Sequence, residues 1–181
     1  MQSFPDYFNR HVASIKIVPK RSSNFMVALG RLLDIAKRFG IADITKDEFL
    51  TEYTTTIGDT IYSDELTMNS APTPLLFHEM CHRLQFLNAR MPYEYIVFRE
   101  SRAYYESEAI QAAMYCTPDS MGYRPRREYA RRKAEHLTKY GIPESMAVLA
   151  VWDRILEIER QKVPVRPMLM KKALTEWRLT G

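Results

Sequence analysis

The alternation of apolar and polar positions divides the chain into a series of helices with a single β-like stretch. VALGRLLDIAKRF, Val27 to Phe39, is apolar at helical spacing and stops at Gly40, which predicts an amphipathic helix. Thr45-Lys46-Asp47-Glu48 has the form of a capping box and opens a short helix through Tyr53. TTTIGDTIY, residues 54–62, is rich in β-branched residues and predicts a strand, one arm of a small sheet. After the polar loop SDELTMNSAPT, Pro74 suits the first position of a helix capped by Thr73, expected over 74–90. Met91-Pro92 breaks it, and a second long helix is expected from about Tyr93 to Cys116. The turn PDSMGYRP leads to a basic helix over 126–140 closed by Gly141, then an amphipathic helix over about 143–161. The extended VPVRP and a short terminal helix, about 168–179, complete the pattern. The expected fold class is α+β, mostly helical, with a reduced sheet. No repeat, low-complexity tract or long linker interrupts it, so residues 1–181 are expected to form a single domain with its core over 54–116 and flanking helices over 25–53 and 126–179.

The helix expected over 74–90 has an unusual wheel. Leu75, Leu76, Phe77, Met80, Cys81, Leu84, Phe86 and Leu87 cover most of its circumference, the pattern of a buried helix. His78, His82, Gln85 and Ala89 form the one stripe free of large apolar groups. Buried imidazoles need partners. The stripe falls in His78-Glu79-Met80-Cys81-His82, an HExxH motif. Histidines four apart project from the same helical face and can reach one metal ion, while the adjacent Glu79 can take a proton from a water on that metal. Cys81 lies off the stripe and reads as a small core residue.

A catalytic zinc takes three protein ligands and keeps a fourth position for water. Of the other histidines, His11 belongs to the N-terminal tail, and His136 lies 54 positions after His82 on an arginine-rich helix. Neither has the short spacing of a third histidine in HExxHxxGxxH. The next helix offers Glu94, Glu100, Glu106 and Glu108. Ile96, Glu100, Ala103, Ser107, Ile110 and Met114 recur at helical spacing as an apolar or small face, with Glu100 in its middle. A carboxylate on a buried face needs a cation. The expected metal ligands are therefore His78, His82 and Glu100, with Glu106 and then Glu108 as alternatives.

Composition adds bounds. Apolar residues make up 46% and charged residues 27%, ordinary for a globular protein, and the net charge of +4 permits anionic partners without requiring them. Two cysteines imply no disulfide framework, and with no signal-peptide or membrane-length apolar run the expectation is a cytoplasmic protein with no membrane partner. Arg124, Arg126, Arg127, Arg131, Arg132 and Lys133, interleaved with Tyr123 and Tyr129, have the composition of a nucleic-acid-binding surface. Glu128 and Glu135 dilute it toward an ordinary solvated face.

HEMCH, followed 18 positions after His82 by Glu100 in FRESRAYYESEA, resembles the gluzincin group of zinc metallopeptidases, in which a glutamate on the next helix is the third ligand. The small size is similar to that of the minimal gluzincins encoded by bacteria and phages. TTTIGDTIY resembles the zincin strand that borders the substrate cleft and pairs with an extended substrate. The likeness covers residues 54–116. HEMCH alone also resembles the SprT-like proteases, whose downstream third histidine has no counterpart here. The Asn-Glu-Ala-x-Ser-Asp signature of thermolysin is absent, which leaves the choice of glutamate open. The resemblance implies a zincin-like fold, one zinc ion per chain, a protein or peptide substrate, and metal-assisted hydrolysis with Glu79 as general base. Tyr62, Tyr104, Tyr105 and several arginines are candidate oxyanion donors. Two other classes of function fit the same residues. One is a non-catalytic binding or assembly protein on a zincin scaffold, for example phage- or virion-associated; the other is a nucleic-acid-associated module using the basic helix over 124–133.

Overall fold

The β-rich stretch folds back on itself. In the computed structural model, which describes residues 2–39, 44–117, 123–139 and 141–180, it forms a hairpin rather than one strand. Helix α1, Phe4–His11, precedes strand β1, Lys16–Val18. Helices α2, Asn24–Arg38, and α3, Lys46–Glu52, follow, and then strands β2, Thr55–Ile57, and β3, Thr60–Tyr62. The hairpin pairs Thr55 with Tyr62 and Ile57 with Thr60. Its two-residue loop needs a positive φ, which Gly58 adopts at 62° without a Cβ penalty. β1 pairs with β3 in parallel, so the order is β1-β3-β2 and β2 is an edge. The mixed three-stranded sheet and the many helices make the fold α+β, as expected. Three residues, Lys-Ile-Val, are too short to carry a period of their own, and β1 was not legible as a strand.

The expected capping box is present. Thr45 Oγ1 accepts from the Glu48 N–H, and the Glu48 carboxylate accepts from the Thr45 N–H. The Lys46 N–H donates to Asp34 at 2.7 Å and ties α3 to α2. Lys46 lies so close to Gly30 that a Cβ there would come within 2.8 Å of the lysine Cγ.

Helix α4, Pro74–Gln85, opens as the sequence predicts: Pro74 is in the first turn and Thr73 Oγ1 accepts from the Leu76 N–H. It ends at Gln85 rather than continuing to 90. The long helix expected from about Tyr93 is two helices, α5, Met91–Val97, and α6, Arg99–Cys116, separated by the extended Phe98. Arg102 stabilises the break. Its guanidinium donates to the carbonyls of Tyr95 and Ile96, which the end of α5 leaves without helical partners.

From Ala103 onward α6 is buried on nearly every side. Ala109, Ala112 and Cys116 belong to a core built with α1, α4 and helix α9, Val165–Thr180. Ala103, Ile110 and Met114 belong to a second core built with helices α7, Tyr123–Thr138, and α8, Glu144–Glu159. VPVRP is not extended throughout: α9 begins at Val165, with Pro167 in its first turn, where a missing N–H costs nothing. Most of the turn read in PDSMGYRP, residues 118–122, lies outside the described residues. Among the described residues no helix is long and apolar enough to cross a membrane.

Candidate metal centre

His78 and His82, one turn apart on α4, turn their Nε2 atoms toward each other at 3.1 Å. Glu106, from the buried part of α6, completes the group. Its carboxylate oxygens lie 3.4 Å from His78 Nε2 and 3.6 Å from His82 Nε2. One ligand atom from each of the three falls within 4.8 Å of the others. For tetrahedral zinc with bonds of about 2.0–2.1 Å, neighbouring ligand atoms sit about 3.3 Å apart. The 3.1 Å between the imidazoles and the 3.4 and 3.6 Å approaches, made by different Glu106 oxygens, lie on either side of that edge, and two neutral nitrogens with one carboxylate form a donor set suited to zinc.

Electrostatics couples the three. Burial is the largest single influence on His82 and disfavours its imidazolium, but Glu106, Glu79 and Gln85 together outweigh it and raise the His82 pKa to about 9. Burial likewise works against the Glu106 carboxylate, yet the two histidines hold it well below the usual carboxylate range. A buried carboxylate thus sits against two imidazoles, where a divalent cation would replace a shared proton.

The carboxylate in this group is Glu106 and not Glu100. The expectation that Glu100 occupies the buried face is corrected: it is exposed in the first turn of α6. The small-residue face picked out by Ala103, Ile110 and Met114 is real, but it packs against α7 and α8 and not against α4. Glu108 is buried too, and it is engaged by Arg166 Nη1 at 2.8 and 3.1 Å and by Gln85. Nothing in the period of α6 distinguishes these carboxylates. The discriminating quantity is depth along the helix together with the rotation that α4 sees.

Each group has a fixed support. His82 Nδ1 lies 2.8 Å from Gln85 Oε1, the residue that continues the expected stripe. The Tyr95 hydroxyl, from α5, donates to Glu106 Oε1. Thr56, on edge strand β2, donates its hydroxyl to Glu79 Oε2 at 2.7 Å, holding one oxygen of that buried carboxylate. Behind β2 stands Lys20, fully buried, whose ammonium donates to the Phe49 and Tyr53 carbonyls at the end of α3 and to Thr55 Oγ1. His78 Nδ1, by contrast, has no hydrogen-bond partner among the described residues.

His78, Glu79, His82 and Glu106 line a cavity of about 530 Å³ whose other walls are mainly apolar, including Leu29, Phe49, Ile57 and Phe86. Lys133 and His136 of α7 line it as well. His136 stacks on Tyr53 with ring centroids 5.2 Å apart, and burial together with Lys133 and Lys139 lowers its pKa. The separation in sequence that removed His136 from consideration as a ligand carries no information about this role. Tyr62, Tyr104 and Tyr105 are not among the cavity-lining residues; Tyr105 donates to Glu94 and Tyr62 packs on Phe25. Donors that do line it include Tyr95, Lys133 and His136, with Tyr53, Thr54, Thr55 and Thr56.

The remaining candidates have structural placements. Cys81 is fully buried, and burial pushes its thiol pKa well up. In the basic run, Arg131 pairs with Glu135 and Arg132 with Glu128 along α7, and Arg127 lies over the Trp152 ring. The side chains of Tyr123, Arg124 and Arg126 lie outside the described residues. His11 is exposed at the end of α1, its ring against Tyr7. Comparison of the chain with protein families, with curated proteins and with solved structures finds no match.

Proposed function

We propose that this chain is a zinc metallopeptidase of gluzincin type on a zincin-like core, with His78, His82 and Glu106 as metal ligands and Glu79 as general base. The observation that carries this reading is the convergence of two Nε2 atoms and one carboxylate beside a second carboxylate, that of Glu79, all on the wall of one cavity. His78, His82 and Glu106 would hold a zinc ion there, which would supply Lewis acidity toward a carbonyl oxygen and an attacking water. Glu79 accepts the proton from that water and passes it to the departing amine nitrogen. Thr56 occupies Glu79 Oε2, which leaves Oε1 as the basic atom and fixes its direction. The edge of β2, to which no further strand pairs among the described residues and which lines the cavity through Thr55, Thr56 and Ile57, offers backbone groups to an extended peptide. Lys133 and His136 bring positive charge or N–H groups to the wall where negative charge develops on the carbonyl oxygen.

The test is hydrolysis of unfolded proteins and of a peptide library by the zinc-loaded protein beside its Glu79→Gln variant. The reading requires cleavage by the first and, for the second, a loss of activity of roughly 100-fold or more with zinc content and melting temperature unchanged. Zinc bound normally with no cleavage of any substrate would leave a metal-binding scaffold in place of an enzyme.

A further inference from the structure

One buried polar chain leads away from the metal centre and ends on the C-terminal helix. Gln85 Nε2 donates to the Tyr105 carbonyl at 2.8 Å and to Glu108 Oε2 at 3.0 Å. The carbonyl and the arginine-paired carboxylate both act as acceptors, so the amide cannot be reversed without setting its oxygen against theirs. Its Oε1 is thereby committed to His82 Nδ1, 2.8 Å away. An acceptor at Nδ1 requires the proton there, so the neutral imidazole, the form that binds a metal, carries its lone pair at Nε2, facing the metal position. Glu108 is held in turn. It is 1% exposed, and Arg166 Nη1 reaches both of its oxygens. A guanidinium has no acceptor, so it keeps Glu108 turned as an acceptor toward Gln85.

We propose that Gln85, Glu108 and Arg166 are positioning residues that fix the orientation and tautomer of His82 for metal binding, making the head of α9 part of the metal centre. The proposal rests on the reading of His82 as a ligand only for its consequence. The hydrogen-bond chain itself makes a prediction about the metal-free protein. It is also asymmetric: among the described residues His78 has no such support at Nδ1, so disrupting the chain loosens one ligand and leaves the other unchanged.

The experiment compares wild type with Gln85→Met, Arg166→Met and Arg166→Lys by two readouts. The first is the imidazole N–H spectrum of the metal-free protein by ¹H–¹⁵N NMR. A slowly exchanging His82 Nδ1–H is expected in wild type, absent in Gln85→Met, faster exchanging in Arg166→Met and recovered in Arg166→Lys, whose ammonium can still reach Glu108. The second is zinc affinity by competition with a chelator. The Met variants are expected to bind about 10- to 100-fold more weakly, the usual effect of losing an outer partner of a metal-bound histidine. Arg166 is about a quarter exposed, so its variants carry the test should Gln85→Met fail to fold. Loss of thermal stability with the Nδ1–H signal and zinc affinity both unchanged would overturn the proposal and leave the chain a packing feature. A wild-type Nδ1–H signal that depends on Gln85, in a protein with no zinc affinity, would uphold the relay and refute the metal reading separately.

Discussion

Glu106 Oε2 lies 3.4 Å from His78 Nε2, which places a carboxylate from the middle of α6 against the first histidine of the motif on α4. Glu100, six residues earlier on the same helix, is exposed to solvent. Glu106→Ala is therefore expected to weaken zinc binding by more than roughly 100-fold, beyond the 10–100-fold typical of a change outside the ligands themselves. Glu100→Ala should stay within about twofold of wild type, since an exposed side chain that touches no ligand has nothing to remove. Titration of both variants against a zinc chelator decides between the two glutamates.

The Thr56 hydroxyl donates to Glu79 Oε2 at 2.7 Å. Thr56→Val keeps the β-branched shape and the strand and removes that bond. A hydrogen bond to a charged group contributes about 1.5–3 kcal/mol, so kcat/KM should fall roughly 10- to 100-fold while zinc content is unchanged. Steady-state kinetics with metal analysis of the same samples checks this, and an unchanged kcat/KM would remove Thr56 from the account.

The proton shared by His82 and Glu106 sets opposite pH trends for folding and for metal binding. The His82 pKa in the folded, metal-free protein is raised to about 9, above the ordinary value of about 6.5. Its contribution to stability is fully present below about pH 6.5 and is lost as pH rises through about 9. Zinc has to displace this proton, so zinc affinity should rise over the same interval, by up to about tenfold per pH unit. Denaturation of the metal-free protein and zinc titrations at pH 6.5, 7.5 and 8.5 would show the two trends; parallel trends would contradict the coupling.

Lys20 closes the end of α3 from the inside. Its ammonium also sits 3.6 Å from the Phe49 ring centroid. Lys20→Met keeps the apolar stem and leaves the Phe49 and Tyr53 carbonyls without this donor. The expected loss is about 2–4 kcal/mol, read by chemical denaturation, with a wild-type midpoint as the contrary result.

These expectations show where the sequence was legible. Thr73, Pro74 and the His78-to-Gln85 stripe lie within one helix, and local rules suffice for them: a cap, a fixed φ and a 3.6-residue period. Even the support of His82 by Gln85 follows from that period. The third carboxylate does not. α6 is buried on nearly every side after Ala103, so buried faces point in several directions and helical spacing selects the interface with α7 and α8 as readily as that with α4. The short strand β1, held by β3, is the product of a tertiary contact that no local window contains, and the break at Phe98 is held by Arg102 from six and seven residues away through side-chain bonds that leave no mark on the helical period. The same holds for His136 and Arg166, which reach the centre and its supports from α7 and α9.

The central claim is that one metal ion binds at His78, His82 and Glu106 with a position left open for chemistry. Anomalous diffraction at the zinc edge from zinc-loaded crystals tests it most directly. A single strong peak is expected, bonded at about 2.0–2.2 Å to the Nε2 atoms of His78 and His82 and to a Glu106 oxygen, with the fourth site facing the cavity and filled by solvent. No peak at these residues, or a peak whose fourth site is closed by a protein side chain, would contradict it.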